Sequence, residues 1–146
     1  MIREVINDDL EEILQLYLSL HEQSVPELSE NLISIWNQII EDKNHHLIVN
    51  VKDNQIVSSC TCIIIPNLTR NTRPYALIEN VVTHKNHRGK GYASECLEYA
   101  KNISIKQNCY KMMLLTGSKE ERTFNFYHQA GYNSIDKIAF IQWLDY

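Results

Sequence analysis

Glycine is scarce in this chain. There are four glycines among 146 residues, whereas an average usage of about 7% would give about ten. Proline is also rare, and no apolar run is long enough to span a bilayer. The amino-terminal residues contain no secretory apolar core. These absences argue against a secreted or membrane-bound protein and predict a cytoplasmic one with reduced thiols.

Metal-binding patterns are missing as well. The four cysteines show no Cys-x2-Cys spacing, and the pair His45-His46 has no further ligands at metal spacing. Cys60 and Cys62 share one face of a predicted strand, which favours small buried side chains. No metal is therefore predicted. The formal net charge of −4 argues against nucleic acid or an anionic membrane as a partner.

The apolar periodicity predicts one α/β domain over residues 1–146, in the order β-α-α-β-β-β-α-β-α-β. Asn7-Asp8-Asp9 and Ser29 are predicted to cap the first two helices, and Asp53-Asn54 is predicted to form a hairpin turn. The remaining predicted elements are the strands Ile2–Ile6, Leu47–Val51, Gln55–Ile65, Tyr75–Thr83, Met112–Thr116 and Ile135–Leu144, and the helices Tyr92–Lys106 and Lys119–Ala130. The crossover between Tyr75–Thr83 and Met112–Thr116 predicts parallel pairing of these two strands.

Two of the four glycines, Gly89 and Gly91, lie between a predicted strand and a predicted helix. Glycine permits positive φ and close approach of a ligand to the backbone. Free N–H groups at a helix start, beside Arg88 and Lys90, suit a phosphate group. A dinucleotide fingerprint would need a third glycine where Ser94 stands, and no Walker loop occurs. A phosphorylated cofactor is predicted here, with a solvated strand-to-helix turn as the plain alternative.

Three segments together resemble the GNAT superfamily of acetyl-CoA-dependent N-acetyltransferases. The first is Arg88-x-x-Gly91-x-Ala93, the pyrophosphate segment of that family. The second is Phe126-Tyr127-His128-Gln129-Ala130-Gly131-Tyr132, and the third is the strand Glu79-Asn80-Val81-Val82-Thr83. The resemblance extends from Ile2 to Trp143 and implies a mixed sheet that binds acetyl-CoA as cosubstrate. The residues expected to contact acetyl-CoA are Val81, Val82, Thr83, Arg88, Gly89, Lys90, Gly91, Tyr92, Ala93 and Ser94.

The resemblance also implies catalytic roles for two side chains. Tyr127 is expected to protonate or hydrogen-bond the departing thiolate, and Glu79 is expected to accept the proton of the incoming amine. A core tyrosine and a solvent-facing carboxylate are the alternatives. The backbone N–H of Val81 or Val82 is expected to polarise the thioester carbonyl, which contributes roughly 3–4 kcal/mol at comparable sites.

The acceptor is expected to be a primary amine of a small molecule. By resemblance, its pocket would involve Tyr17, Trp36 and the Asn67–Pro74 loop, together with His21 and Glu22. Arg70 and Arg73 suit an anionic acceptor, although solvated loop charges explain them equally well, and Glu22 with Glu27 would suit a polyamine. A protein N-terminal or lysine acetyltransferase and a non-catalytic acyl-CoA-binding module remain alternatives. The resemblance also allows the final strand to pair across a homodimer.

Overall fold

The computed structural model describes residues 1–145, which form two compact units, Met1–Leu114 and a second that begins at Leu115. The first unit holds a five-stranded sheet in the order β1-β2-β3-β4-β5, which confirms the predicted mixed α/β class. The strands are β1 (Ile2–Glu4), β2 (His45–Lys52), β3 (Gln55–Ile65), β4 (Tyr75–Thr83) and β5 (Met112–Leu114). The helices of this unit are α1 (Leu10–Tyr17), α2 (Glu30–Glu41), the four-residue α3 (Thr69–Thr72) and α4 (Tyr92–Lys106), and the second unit holds α5 (Glu121–Gln129).

The first four strands pair antiparallel, and β4 pairs parallel with β5. The hairpin between β2 and β3 turns at Asp53 and Asn54, which have φ values of 50° and 60°. Both residues are left-handed, as a two-residue hairpin with the native strand twist requires, and Asn and Asp tolerate that conformation best after glycine. The predicted turn and parallel crossover are therefore confirmed.

Helices cover both faces of this sheet. Leu47 and Val49 of β2 belong to a core shared with α1 and α2 that includes Trp36. The residue after Val49, Asn50, points to the opposite face, where it meets Glu95 of α4. Period-two alternation along β2 thus gives each face its own helices. Burying one large apolar side chain in such a core contributes about 1.5–3 kcal/mol.

The two amino-terminal helices begin differently. The Ser29 hydroxyl accepts the Leu32 N–H at 3.1 Å, so the predicted cap of α2 is confirmed. Before α1, the cap is a 3-10 turn over Asn7–Asp9, where the Asp9 carboxylate accepts the Ile6 N–H at 2.7 Å. Asp9 is buried, and its carboxylate also accepts hydrogen bonds from Nη1 and Nη2 of Arg3, at 2.6 and 3.0 Å.

Asp9→Asn is expected to lower the free energy of unfolding by about 1–3 kcal/mol, because it weakens a buried ionic pair that also fixes a helix start. Burial opposes the charged form of Asp9, but the Arg3 and Ile6 bonds outweigh it and hold the pKa below its ordinary value of 3.8. The stabilisation is therefore complete above that ordinary pKa and is lost as the pH falls through the lowered one. Urea unfolding from pH 7 to pH 2 checks this, and a stability difference that stays constant with pH would contradict it.

The final strand predicted over Ile135–Leu144 is wrong: within residues 1–145 no strand follows β5. Alternating apolar residues make a strand only where a neighbouring strand accepts their backbone hydrogen bonds, and this segment has no such ladder in the described residues. Its apolar side chains are exposed, with Phe140 at 92% and Trp143 at 70%. Two neighbouring predictions are also too long: β5 ends at Leu114 and not at Thr116, and α5 covers Glu121–Gln129 and not Lys119–Ala130.

Two further findings bear on function only indirectly. No helix in the described part of the chain has the length and apolar character needed to cross a membrane. Among those same residues, no three His, Cys, Asp or Glu side chains are grouped so that they could hold a metal ion.

Candidate active site

The glycine loop connects β4 to α4 through a 3-10 turn over Lys85–His87. Gly89 and Gly91 have φ values of 73° and 85°, a region that side chains with a Cβ rarely adopt. A Cβ at either position would meet no atom within 4 Å, so open space lies beside both. The conformation, rather than crowding by neighbouring atoms, therefore favours glycine here.

The start of α4 has backbone N–H groups that can donate hydrogen bonds to a ligand. Gly91 is the residue before the helix, and no side chain caps it. Its carbonyl accepts the Glu95 N–H at 3.0 Å, while the first N–H groups of a helix have no carbonyl partner within it. With the helix dipole, these groups form a cradle for an anion. The residues predicted to bind a diphosphate therefore fit that group.

Positively charged side chains line the glycine loop, and two of them donate hydrogen bonds to backbone carbonyls. Arg88 donates from Nε to the Thr83 carbonyl at 3.2 Å, and Lys90 donates from Nζ to the Asn86 carbonyl at 3.3 Å. Both side chains remain exposed together with Lys85. Their positive charge therefore faces solvent beside the free amides of α4, where it favours an approaching anion.

Helix α4 is anchored to the sheet by a pair that the sequence analysis missed. The Asn50 side chain, 1% exposed, donates to Glu95 at 2.6 Å. Glu95 lies in the first turn of α4, where a carboxylate suits the helix dipole. A single asparagine inside the apolar strand Leu47–Val51 was the available signal, because a buried amide requires a partner.

Strand β4 carries the predicted thioester region. Glu79 and Asn80 are exposed, Val82 is buried, and Val81 and Thr83 are half-buried. The parallel ladder with β5 ends at the pair Ile78–Leu114. Within residues 1–145, the last five residues of β4 therefore have no ladder partner on the β5 side, and they include the three residues of β4 expected to contact acetyl-CoA.

A bulge interrupts β4 in the middle of this region. Thr61 of β3 pairs with Glu79, and Ser59 pairs with Val82, so two residues of β4 oppose one residue of β3. Asn80, the first of the two, has a φ of 50°. Such a bulge leaves the extra residue out of the ladder and re-aims the backbone around it. The bulge was not predicted from the sequence, although Asn is the residue after glycine that best tolerates this φ.

Ser58 ties the end of β4 to β3. Its hydroxyl donates to the Val82 carbonyl at 2.9 Å and lies 2.8 Å from the Thr83 hydroxyl. Beyond the strand, the His84 N–H donates to the Val57 carbonyl at 2.8 Å. These bonds on the β3 side fix where the glycine loop begins.

Tyr127 lies on α5, in the second unit. Its half-buried ring is 5.0 Å from that of Phe126 and meets the ring of Tyr132 edge-on at 6.1 Å. The Tyr132 N–H donates to the Tyr127 carbonyl at 3.0 Å, while Gly131, at a φ of 96°, ends the helix as predicted. The aromatic segment is thus a helix end in which the rings of Phe126 and Tyr132 pack against the ring of Tyr127.

Three of the four cysteines are buried, Cys109 is half-buried, and all four thiols are protonated at neutral pH. Cys60 and Cys62 are fully buried on one sheet face, as predicted, and Cys96 packs there too. Burial raises the pKa of Cys62 to about 11 and that of Cys96 to about 12, and it also raises the pKa values of Cys60 and Cys109. A thiolate nucleophile at neutral pH is therefore disfavoured at all four positions.

Several residues expected around the acceptor pocket have structural roles instead. Trp36 is 5% exposed and belongs to the core between α2 and the sheet. Arg73 donates to the carbonyls of Asn108 and Cys109, each at 3.1 Å. Arg70 lies over the ring of Tyr110 at 5.4 Å. Tyr17 is half-buried and packs against that same core.

Comparisons with known proteins agree with these features. The model of the acetyltransferase (GNAT) family matches residues 9–132. The glucosamine 6-phosphate N-acetyltransferase of Trypanosoma brucei brucei is 30% identical over 83 residues, which make up 57% of this chain and 54% of that protein. The chain thus spans about half the length of this curated relative.

Two solved structures are similar over almost the whole chain. One, from Agrobacterium tumefaciens str. C58, is provisionally named an acetyltransferase; it is 33% identical with a TM-score of 0.89 over 98% of this chain and 99% of the other. The second is a transcriptional regulator from Bacillus halodurans C-125, 25% identical with a TM-score of 0.87 over the same shares of the two chains. The family match includes β4, the glycine loop and Tyr127, and the chain therefore belongs to the GNAT acetyltransferase family.

Proposed function

We propose that this protein transfers an acetyl group from acetyl-CoA to a primary amine of a small molecule, by direct attack in a ternary complex. One observation carries the proposal: the uncapped start of α4, with left-handed Gly89 and Gly91, follows a strand whose last five residues lack a ladder partner on the β5 side. The four protonated cysteines argue against an acetylated-enzyme step. Acetyl-CoA would supply the activated acetyl group.

In this proposal the backbone does most of the binding. The amides of Gly89 to Ser94 hold the diphosphate, with Arg88 and Lys90 adding charge, and Val81 to Thr83 pair with the pantetheine arm. The N–H of Val81 or Val82 stabilises negative charge that develops on the carbonyl oxygen. The bulge at Asn80 supports this role, because it re-aims the backbone at that point.

Two side chains would move protons. Tyr127 donates a hydrogen bond or a proton to the departing sulfur. Glu79 accepts the amine proton, directly or through water, and its exposure on β4 leaves it open to an acceptor. Direct attack requires a neutral amine, so a base near the reacting atoms is needed at pH 7.

For the acceptor, we favour an amine that carries an anionic group, such as an amino sugar phosphate. The relative from Trypanosoma brucei brucei supports this class, since it is named for glucosamine 6-phosphate. A panel of amines with acetyl-CoA, read by release of free thiol, tests the function. It should contain amino sugars with and without phosphate, polyamines, amino acids and peptides. Turnover with a small amine is the expected result.

The alternatives predict different outcomes of the same panel. A protein acetyltransferase would turn over peptides only. A non-catalytic acyl-CoA-binding module would bind acetyl-CoA without releasing thiol, and the similar transcriptional regulator from Bacillus halodurans favours this second candidate. The cytoplasmic location remains a prediction from the sequence.

We infer that the segment 135–144 packs against a second copy of this chain. Its large apolar side chains are each at least 66% exposed: Ile135, Ile138, Phe140, Ile141, Trp143 and Leu144. An exposed segment of this size with the alternation of a strand is a ready pairing site for another chain.

Light scattering after size exclusion is expected to give the mass of two chains, and Phe140→Asp is expected to give the mass of one. The reason is that the dimer would have to bury the charge of the new aspartate in an apolar interface, at a cost of several kcal/mol. Leu68→Asp is the matched control, because Leu68 is 91% exposed in the other unit. A wild-type protein that runs as a single chain at high concentration would contradict the dimer.

A further inference from the structure

We propose that Asn50 is a positioning residue for acetyl-CoA: its side-chain amide holds the first turn of α4 where the free N–H groups of that turn can receive the diphosphate. The inference rests on the proposed function, because it assigns Asn50 to the support of the diphosphate cradle. Since Asn50 is 1% exposed, it would act through α4 and would not contact the cosubstrate itself.

Asn50 contacts the first turn of α4 at two points. Its Nδ2 donates to the Glu95 carboxylate at 2.6 Å and also reaches the Tyr92 carbonyl oxygen at 3.5 Å. Tyr92 and Glu95 are the first and fourth residues of α4, so one amide spans the whole first turn. A hydrogen bond to a charged acceptor is about twice as strong as one between neutral groups. The contact with Glu95 therefore fixes this turn against β2.

The start of α4 lacks the usual local restraint. Gly91 precedes the helix, and no side-chain hydrogen bond caps it. Glycine also loses more conformational freedom on ordering than any other residue. A helix start that is loose in the free protein must become ordered when a ligand binds, and that ordering reduces affinity. A restraint from the sheet, such as the one Asn50 provides, therefore favours binding at the free N–H groups.

The other end of the glycine loop is tied to the same row of the sheet. Asn50 pairs with Ser58 of β3, and Ser58 pairs with Thr83, the last residue of β4. Residues directly opposite on antiparallel strands place their side chains on one face, so this polar row lies on the α4 face. The hydroxyls of Ser58 and Thr83 are 2.8 Å apart. The sheet thus sets the positions of Thr83 before the loop and Glu95 after it.

Asn50→Leu is expected to raise the Kd and the KM for acetyl-CoA about tenfold, while kcat changes less than about twofold. The cradle would hold the diphosphate equally in the ground state and the transition state, so its loosening affects binding and not the chemical step. Leucine fills the space of asparagine, and the exposed Glu95 carboxylate can turn to water. Glu95→Ala should have the same effect. The double variant should bind no more weakly than either single one, because both changes break one contact.

Two control variants separate this role from general packing of α4. Glu95→Gln keeps an oxygen acceptor for Asn50, and its Kd should stay within about threefold of the wild-type value. Ser104→Ala removes a buried hydroxyl near the other end of α4, where it donates to the Ala100 carbonyl at 2.9 Å. This variant should leave the Kd unchanged. Thermal unfolding verifies that each variant is folded.

Calorimetry and amide hydrogen exchange test the inference without an amine acceptor. The Glu95 amide, which donates to the Gly91 carbonyl, should exchange faster in Asn50→Leu, while the Gln107 amide beyond the end of α4 remains unchanged. If Asn50→Leu weakens acetyl-CoA binding but no amine releases thiol, the proposed transfer fails and the positioning role stands. A wild-type protein that binds no acetyl-CoA would overturn both. Unchanged affinity in Asn50→Leu and Glu95→Ala, or an equal loss in Ser104→Ala, would overturn the positioning role alone.

Discussion

Gly91→Asp is expected to raise the Kd for acetyl-CoA at least about 30-fold, because one added negative charge about 4 Å from each of two phosphate charges costs about 1 kcal/mol for each pair even at the dielectric constant of water. Gly91 has a φ of 85° and precedes the uncapped start of α4. An aspartate there would also occupy the free helix amides as a capping acceptor. The variant therefore attacks the proposed diphosphate cradle in two ways.

Gly91→Asn is the matched control for this change. Asn and Asp have nearly the same size and both tolerate the left-handed conformation, and a Cβ at position 91 would meet no atom within 4 Å. The asparagine variant should weaken binding by less than about tenfold, since it adds no charge. Calorimetric titration measures both Kd values, and thermal unfolding verifies that both variants fold. Equal affinities in the aspartate variant and the wild type would remove the glycine loop from the site.

Tyr127→Phe is expected to lower kcat about 100-fold, near the lower end of the range for general acids, with the KM for acetyl-CoA changed less than about twofold. A thiolate, whose thiol has a pKa of about 8.5, is a weaker base than a phenolate, whose phenol has a pKa of about 10. Full proton transfer from Tyr127 to sulfur is therefore modestly uphill, which limits the rate gain. The phenyl ring retains the packing against Phe126 and Tyr132.

Steady-state kinetics with the best amine of the panel measures this effect. Tyr99→Phe, which removes a hydroxyl from α4, serves as the control for loss of a phenol. An unchanged kcat in Tyr127→Phe would remove Tyr127 from the mechanism. A rise in KM alone would assign it to cosubstrate binding instead.

Local chemistry made much of the fold predictable. The Asp53-Asn54 turn and the Ser29 cap each depend on the conformational preference of one or two residues, and the structure has both. The glycine loop and α4 followed from the same reasoning, because glycine scarcity made its two closely spaced glycines conspicuous. The family resemblance then ordered these parts along the chain.

Features that depend on distant partners were not predictable in this way. The bulge at Asn80 arises from the register of β4 against β3, and no local pattern fixes that register. The segment 135–144 alternates like a strand, yet its pairing depends on a neighbour that the sequence does not specify. Arg73 was weighed as an anion ligand because its charge is visible in the sequence, whereas the carbonyls of Asn108 and Cys109 that accept its hydrogen bonds are not.

The central claim is that main-chain amides at the start of α4 hold the diphosphate of acetyl-CoA. Amide chemical shifts of the isotope-labelled protein, followed while acetyl-CoA is added, test this claim most directly. The account predicts that the largest shifts occur at Gly89 to Ser94, with a second group at Val81 to Thr83. Shifts confined to other parts of the chain, such as the Asn67–Pro74 loop, with the glycine loop unmoved at saturation, would contradict it.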